Sequence, residues 1–363
     1  VAVAVTAAGG GGLNIAVVTN APIIRAYIKN SELYKQAGIV IKTLYNADDV
    51  GNQIEGKDVF VSSTAISGAG LAGLTGSIAV IHSAPEISTR LFGSEVQESS
   101  GFLEILSKVY NKFEVESVGG AVSGAASAVV NLAVVDNSNS KYLATINTSK
   151  FVNGYGIVID NHVIETASSK VVGASLAALG SGFINVAVST LTPVVESGIH
   201  NLIGSSFIEL NPEHPDLNRK VNIFAQYDGD AQAKALGVAV SAGISLGASV
   251  AVTFVDPVIE AYLTSDSDAS TLKIESDIPW IIEARQNINK DGSFVESGAI
   301  SQASASGGGI FSGTGSIATA KNRPTVNAKA SVKGHMVIRN LTINAITYSL
   351  SSAETFGVSV GGV

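Results

Sequence analysis

The side chains able to do acid–base, nucleophilic or metal chemistry are few in this chain, and they are scattered. The five histidines, His82, His162, His200, His214 and His335, form no H-x-x-H or H-x-x-x-H pair. Three of them could hold a metal only if stacking brought them together. There is no cysteine, which removes thiolate metal sites and thiol nucleophiles. Asp48 and Asp49 are the nearest approach to a carboxylate pair for glycosidic chemistry. Adjacent strand residues point to opposite sides, so this pair reads as a turn carrying two solvated acids. Ser265-Asp266-Ser267-Asp268 and Asn287-Ile288-Asn289-Lys290-Asp291-Gly292 offer oxygen donors. Neither has the Asp-x-Asp-x-Asp-Gly spacing with a distal glutamate that a calcium loop uses, and both read as solvated loops. Asn147-Thr148-Ser149 and Asn340-Leu341-Thr342 are formal glycosylation sequons.

Two glycine motifs invite an enzymatic reading. Gly68-Ala69-Gly70-Leu71-Ala72-Gly73 matches G-x-G-x-x-G, but a dinucleotide site needs a helix opening at that turn. Strand-like Gly76 to Ile81 follows instead, and similar Gly/Ala runs recur elsewhere, so the segment reads as a repeat linker. Gly357-Val358-Ser359-Val360-Gly361 matches G-x-S-x-G, but no Asp/Glu and His follow it. No catalytic residue, metal or cofactor is expected. Tyr27 and Tyr262 occupy equivalent repeat positions and read as structural. Trp280 follows Pro279 near a loop excursion and is the aromatic to test for ligand contact.

The elements that carry these residues repeat. Six short apolar segments centre on Ala16, Ala79, Ala133, Ala187, Ala251 and Ala318, at intervals of 63, 54, 54, 64 and 67 residues. Six residues after each anchor come Pro22, Pro85, Asn139, Pro193, Pro257 and Pro324. Proline lacks a ladder N–H and belongs at a strand start or a corner, so each marks a structural corner between two strands. Beyond it lies an alternating piece such as Arg25-Ala26-Tyr27-Ile28 or Glu260-Ala261-Tyr262-Leu263, with the third copy slipped by one residue to Leu143-Ala144-Thr145-Ile146. Each unit closes on an alternating run: Val59 to Ser62, Phe113 to Glu116, or Val221 to Ala225. Period-2 alternation is the strand signature. Phe102 to Tyr110 has helical potential as well, but Leu103, Ile105 and Ser107 alternate, and the strand reading is kept.

Composition agrees with stacked strands. Of 363 residues, 46% are hydrophobic, mostly small or β-branched, 6% are aromatic and only 14% are charged, at a mean hydropathy of +0.34. Such residues suit a narrow, regularly stacked Ala/Val/Ile interior. The array then spans 1–363 as one continuous domain of about six units. A unit could be three short coils or one wide coil. Variable middles, such as the segment from Asn211 to Asp216 and that from Asn287 to Gly292, read as side loops. The net charge of −8 with scattered Lys and Arg argues against nucleic acid, and no apolar run is long enough for a membrane helix. Both ends look like interior repeat, so a longer parent protein is expected.

Gly247-Ala248-Ser249-Val250-Ala251-Val252, followed by Ile259-Glu260-Ala261-Tyr262-Leu263, resembles the repeats of very large filamentous adhesins of Gram-negative-type bacteria. The likeness is to the leukotoxin/filamentous-adhesin group and, more distantly, to filamentous haemagglutinins. It covers most of the chain, and the fourth and sixth units depart from it. It implies an all-β, right-handed parallel β-helix (β-solenoid) with irregular side loops, exported to the extracellular bacterial cell surface. It carries over no catalytic residues. The function expected is a structural and adhesive rod segment without chemistry of its own, with no membrane insertion in this segment. Its partners would be a host-cell or matrix surface, or other copies of itself in a homopolymer. The alternatives are a self-assembling filament or sheath subunit and a carbohydrate-active β-helix enzyme.

Overall fold

The computed structural model describes residues 2–56, 59–207, 216–265 and 273–362. The side-loop segment 211–215 with His214, and the acidic positions Asp266 and Asp268, lie outside the described residues. Among the described residues every element is a strand, a turn or a bend, and every pair of named strands is parallel. Phe102 to Tyr110 opens the strand Phe102–Ser123, with Leu103, Ile105 and Ser107 turned inward. The β-branched and small residues at alternate positions favour this pleated, half-buried geometry over a helix.

The chain passes repeatedly through the same sheets. The anchor sheet holds six strands: Gly9–Asn20, Ala72–Ser83, Ala126–Asn137, Gly180–Leu191, Ile244–Val255 and Phe311–Asn322. The corner sheet holds six strands of seven residues, from Ile23–Lys29 to Thr325–Ser331. A short sheet includes Glu32–Tyr34, Glu95–Gln97 and Lys150–Val152. The long sheet includes Phe102–Ser123, Gly156–Ala177 and Val221–Ser241. One repeat makes one pass, so each unit is a single wide layer rather than three short coils. The six anchor alanines pair with one another in unbroken register from Ala16 to Ala318. At about 4.8 Å per strand and 3.3 Å per residue, six layers rise about 29 Å while the longest strand spans about 70 Å. The result is a β-solenoid-like parallel stack, wider than it is tall.

The corners explain the repeat signature. Pro22, Pro85, Pro193, Pro257 and Pro324 each sit between an anchor strand and a corner strand. Their missing N–H costs nothing there, and their carbonyls keep the ladder going: Pro22, Pro85, Pro193 and Pro257 each accept from the backbone N–H of the next layer at 2.9 Å. In the third layer the corner is one residue longer. Ser140, not Asn139, takes the proline's register and accepts from Val194 N. The same extra residue explains the slipped copy at Leu143. Beyond the corner strand a single left-handed residue turns the chain: Asn30, Gly93, Thr148 and Asn201, with φ of 50°, 60°, 47° and 56°.

The interior is mostly the expected Ala, Val and Ile, with the larger and smaller side chains sorted into separate regions. Where the first half of the long sheet faces the corner and short sheets, large side chains fill the space, among them Ile105, Ile159, Ile223, Ile87, Ile199 and Trp280. Where the second half of the long sheet faces the anchor sheet, the gap is thin. There the anchor alanines Ala79, Ala133, Ala187 and Ala251 are buried with Ser77, Asn131, Asn185 and Ser249, and a small apolar cluster of Val129 and Phe183 packs on Ala121, Ala239 and Ala305, while Ile78, Leu132, Val186 and Val250 of the same strands face outward. Asn131 Nδ2 bonds Val172 O and Asn185 Nδ2 bonds Leu236 O, across the gap. Gly119 and Gly173 make room: a Cβ at either would stand 2.1 and 2.4 Å from the amide oxygens of Asn131 and Asn185.

Three sequence readings change in register. The Val221 run pairs with Ile157 and not with the Phe113 position, which lies ten residues later on the long strand and aligns with Ala231. Tyr27 and Tyr262 do share a column, but Arg90, Thr145 and Gly198 lie between them, and Tyr262 covers Gly198 rather than another tyrosine. Trp280 is fully buried, edge-on to Phe207, with its Nε1 donating to Ser276 Oγ at 2.8 Å. It is a core residue and not a loop platform.

Thr148 is the costly member of the left-handed column, because a β-branched side chain crowds the backbone at positive φ. It is exposed, so little packing depends on it. Thr148→Gly is expected to stabilise the fold by about 1 kcal/mol, read as a higher denaturant midpoint. An unchanged or lower midpoint would contradict this account of the corner.

Candidate functional site

Two excursions leave the long sheet from one column. The strand Ile39–Tyr45 stops at Tyr45, and the strand Lys273–Gln286 stops at Gln286. Tyr45, Val109, Val163, Tyr227 and Gln286 are consecutive partners in register. In the three layers between, the strand runs straight through. The two excursions are therefore four layers apart, about 19 Å.

They are the same hairpin built twice. Asn46-Ala47-Asp48-Asp49-Val50-Gly51-Asn52-Gln53-Ile54 matches Asn287-Ile288-Asn289-Lys290-Asp291-Gly292-Ser293-Phe294-Val295 position by position. Asn46 and Asn287 both have φ of 54°, and Gly51 and Gly292 have φ of 90° and 86°. The bonds correspond as well: Asp48 N to Asn52 O and Asn289 N to Ser293 O, then Gly51 N to Asp48 O and Gly292 N to Asn289 O. Each is tied to the next layer by its asparagine, with Asn46 Nδ2 on Tyr110 O at 2.9 Å and Asn287 Nδ2 on Tyr348 O at 3.3 Å. The same two tyrosines support the tips: Tyr110 donates to Gly51 O at 3.1 Å, and Tyr348 packs on the Phe294 ring at 4.9 Å. Carboxylates brace the turns. Asp48 accepts from Val50 N and Asn52 N, and Asp291 from Ser293 N and Oγ. Hydrogen bonds from Asn52 and from Ser293 hold Asp48 and Asp291, respectively, below the usual carboxylate range.

Between the hairpins lies a cleft of about 470 Å³ on the outer face of the long sheet. Its floor is two columns of outward side chains. One contains Lys42, Leu106 and Asp160; the other contains Leu44, Lys108, His162 and Gln226. Asp49 and Val50 form one wall, Asn289 and Lys290 the other. Asp49 and Lys290 hold equivalent places in the two hairpins and carry opposite charge. Lys290 reaches Asp160 and lies over the Phe224 ring, while Lys42 Nζ donates to Asp49 O at 2.6 Å. His162 Nε2 is 2.7 Å from Asp228 Oδ2, which Gln226 also contacts. The cleft thus offers ammonium, carboxylate, imidazole and amide groups beside aliphatic surface. Such a lining orients a polar ligand by hydrogen bonds. The nearest hydroxyl, Ser107, belongs to the inward-facing set of its strand.

Other titratable groups gather in two places. In the interior, Glu165 is fully buried between Tyr142 and Tyr227 and beside Asn111. Tyr142 OH donates to Glu165 Oε1 at 2.5 Å, Asn111 Nδ2 to the same oxygen at 2.9 Å, and Tyr227 OH to Oε2 at 3.2 Å. Burial raises the Glu165 pKa above its ordinary 4.5, against the pull of these donors. Burial and the neighbouring carboxyl push both tyrosines up. This group ties sheets together and has no path to a ligand. On the outer face of the corner sheet, Glu196 and Glu260 are in-register neighbours. Burial, then Glu260, raises the Glu196 carboxyl, while Lys329 lies 3.4 Å from Glu260.

Among the sequence candidates, Asp49, His162, Asn289 and Lys290 come together at the cleft. His82 pairs with Asp136, His200 contacts Thr264, and no group of three metal-ligating side chains forms among the described residues. Gly68 to Gly73 runs from the end of one strand through Gly70-Leu71 into the next, with no helix, and Ser359 lies within the strand Leu350–Gly361. The repeated hairpin was the missed signal: N-x-[DN]-x-x-G-[NS]-x-[IV] is present twice, 241 residues apart, at a distance no unit length reveals. Comparison with protein-family models, curated proteins and solved structures finds no match to this chain.

The interior carboxyl makes a pH prediction. A glutamate whose folded pKa is raised contributes stability that is complete below its unfolded value and is lost as pH rises through the folded value. Wild type should therefore lose stability relative to Glu165→Gln as pH rises above about 4.5. Paired denaturant titrations from pH 4 to 8 read this as a widening gap, and a gap independent of pH would refute it.

Proposed function

We propose that this chain is a structural and adhesive segment of a large exported protein at the bacterial cell surface, a right-handed parallel β-helix with no catalysis of its own. The observation that supports it best is the unbroken register of Ala16 through Ala318, with length variation confined to excursions. Each layer templates the next through its backbone ladder, so added repeats extend a stiff scaffold at little topological cost. The right hand follows from the strong preference of parallel crossovers for that sense. Binding specificity then belongs to what departs from the repeat. The paired hairpins and the mixed-charge cleft between them are the adhesive element, and their partner is a host-cell or matrix surface.

A second reading, a carbohydrate-active surface, has the Glu196–Glu260 pair in its favour, since two carboxyls side by side, with Glu196 raised by burial, resemble the arrangement glycosidases use. Release of reducing ends from a polysaccharide, abolished by Glu260→Gln, would establish it.

The adhesive reading is tested by removing both hairpins. Residues 46–58 and 287–298 are replaced by the three residues that bridge the same positions in neighbouring layers, Tyr110-Asn111-Lys112 and Asp228-Gly229-Asp230. The shortened chain should keep its β circular dichroism and bind host cells or matrix proteins about tenfold more weakly. Equal binding by both chains, or none by the intact one, would leave only the scaffold role.

A further inference from the structure

The anchor strands bury part of their aliphatic residues, Ile81, Val135 and Leu191 among them, yet carry a second aliphatic set on the outside. Four adjacent outward columns, those of Leu74, Gly76, Ile78 and Val80, contain only Leu, Ile, Val, Ala or Gly through every layer until Thr319 ends the last one. The fold does not require this, because an outward position on a half-buried sheet is ordinarily polar. No other element of the chain pairs with or packs on this face among the described residues.

We propose that this outer face of the anchor sheet is the contact face between two copies of the chain. Three observations favour a second copy. The first is area. Four columns about 7 Å apart over six layers about 4.8 Å apart make an uncharged surface of about 800 Å². That exceeds the largest apolar patch of a typical monomer and equals what one partner buries in a standard stable interface.

The second is relief. Leu74 and Leu246 stand out, 59% and 58% exposed. Beside Leu246 the residues Ala128, Gly182, Gly313 and Gly315 line a hollow of about 630 Å³. One surface therefore presents both knob and hole, which rewards a shaped, rigid partner carrying the same features. The third is the rim. On the corner side the next outward column carries Thr19, His82 paired with Asp136, Thr190, Phe254 and Lys321. A mostly polar edge beside an apolar centre is the anatomy of a protein interface. A membrane-lying surface would instead be edged by Lys and Arg, and the whole chain carries a net charge of −8.

The inference is independent of the adhesive reading, because the hairpins project from the long sheet and leave this face clear. Sedimentation equilibrium of the intact chain, from about 1 to 100 µM, should give a dimer mass or larger. Val186→Asp with Val250→Asp, two outward positions in central layers, should weaken association at least about tenfold and leave the β circular dichroism unchanged. Because the chain has no cysteine, Val188→Cys provides a second readout that does not depend on tolerance of charge. Oxidation should join copies through Val188→Cys and not through Lys170→Cys on the long sheet. A monomer at 100 µM, dimers unaffected by the double aspartate variant, or equal cross-linking at both cysteine positions would overturn the proposal. So would a monomer that instead sediments with phosphatidylcholine/phosphatidylglycerol vesicles.

Discussion

The spacing between the anchor sheet and the second half of the long sheet is the constraint on which the rest depends. Two sheets that face each other across large side chains lie about 10 Å apart. Here most of the facing residues are alanine, serine and asparagine, with Val129 and Phe183 set against Ala121 and Ala239, so the gap is thinner. The position two residues before each anchor alanine is Asn or Ser in all six layers: Asn14, Ser77, Asn131, Asn185, Ser249 and Ser316. In five of them it donates to the carbonyl column that runs through Thr64, Val172, Leu236, Ser304 and Phe356, while Ser77 bonds Ser63. Buried polar side chains of this kind are favourable only when satisfied, and the spare lone pair of a ladder carbonyl satisfies them. The ties hold the sheets at amide-length separation, and Phe183, a large side chain in the gap, lies where Gly237 and Gly247 leave space for its ring.

From this thinness the distribution of apolar surface follows. Most of the hydrophobic core lies toward the corner and short sheets, where Phe113, Phe151, Phe207, Tyr142 and Trp280 are buried, and a smaller cluster of Ala121, Val129, Phe183, Ala239 and Ala305 fills the narrow end. Glu165 stands between the two regimes, with Val163 on the apolar side of its strand and Ser169 on the polar side. Aliphatic residues of the anchor strands such as Ile78, Leu132, Val186 and Val250 take the outside, while Ile81, Val135, Leu191 and Val255 point inward near the corner. A layer therefore carries two unlike exteriors, an aliphatic anchor face and a long-sheet face whose broad end is charged. The hairpins sit on the charged one. The excursions leave after the inward column of Val163 and return at the inward column of Ala167, so the strand on either side of each hairpin keeps its register.

Much of this was legible. Period-2 alternation identified strands, the prolines identified corners, and the spacing of the alanines identified layers, because each reflects a local requirement: pleat, missing N–H, and small side chain. The failures share a cause. Asn139 lies in the third corner, but Ser140 takes the proline's register there, since a one-residue insertion is invisible until the neighbouring strand supplies a register. The Val221 run looked like the Phe113 run because both alternate, and alternation carries no address along a 22-residue strand. Trp280 looked like a loop aromatic because Pro279 precedes it, yet the long sheet accommodates that proline at a register irregularity.

The sequence by itself determined that this chain is strands, where they bend, and that one unit repeats the last, since these are properties of backbone dihedrals and side-chain size within a few residues. It also contained both hairpins in full. Only the tertiary structure decided which side of each strand is the inside. Alternation specifies two faces and not their fate; the asparagine ties that help decide it reach the long sheet, from Asn131 to Val172 and from Asn185 to Leu236, 41 and 51 residues away. The same long-range stacking brought Asp49 and Lys290 to one cleft and Glu196 beside Glu260, because proximity across layers depends on register summed over whole units, which no local pattern records.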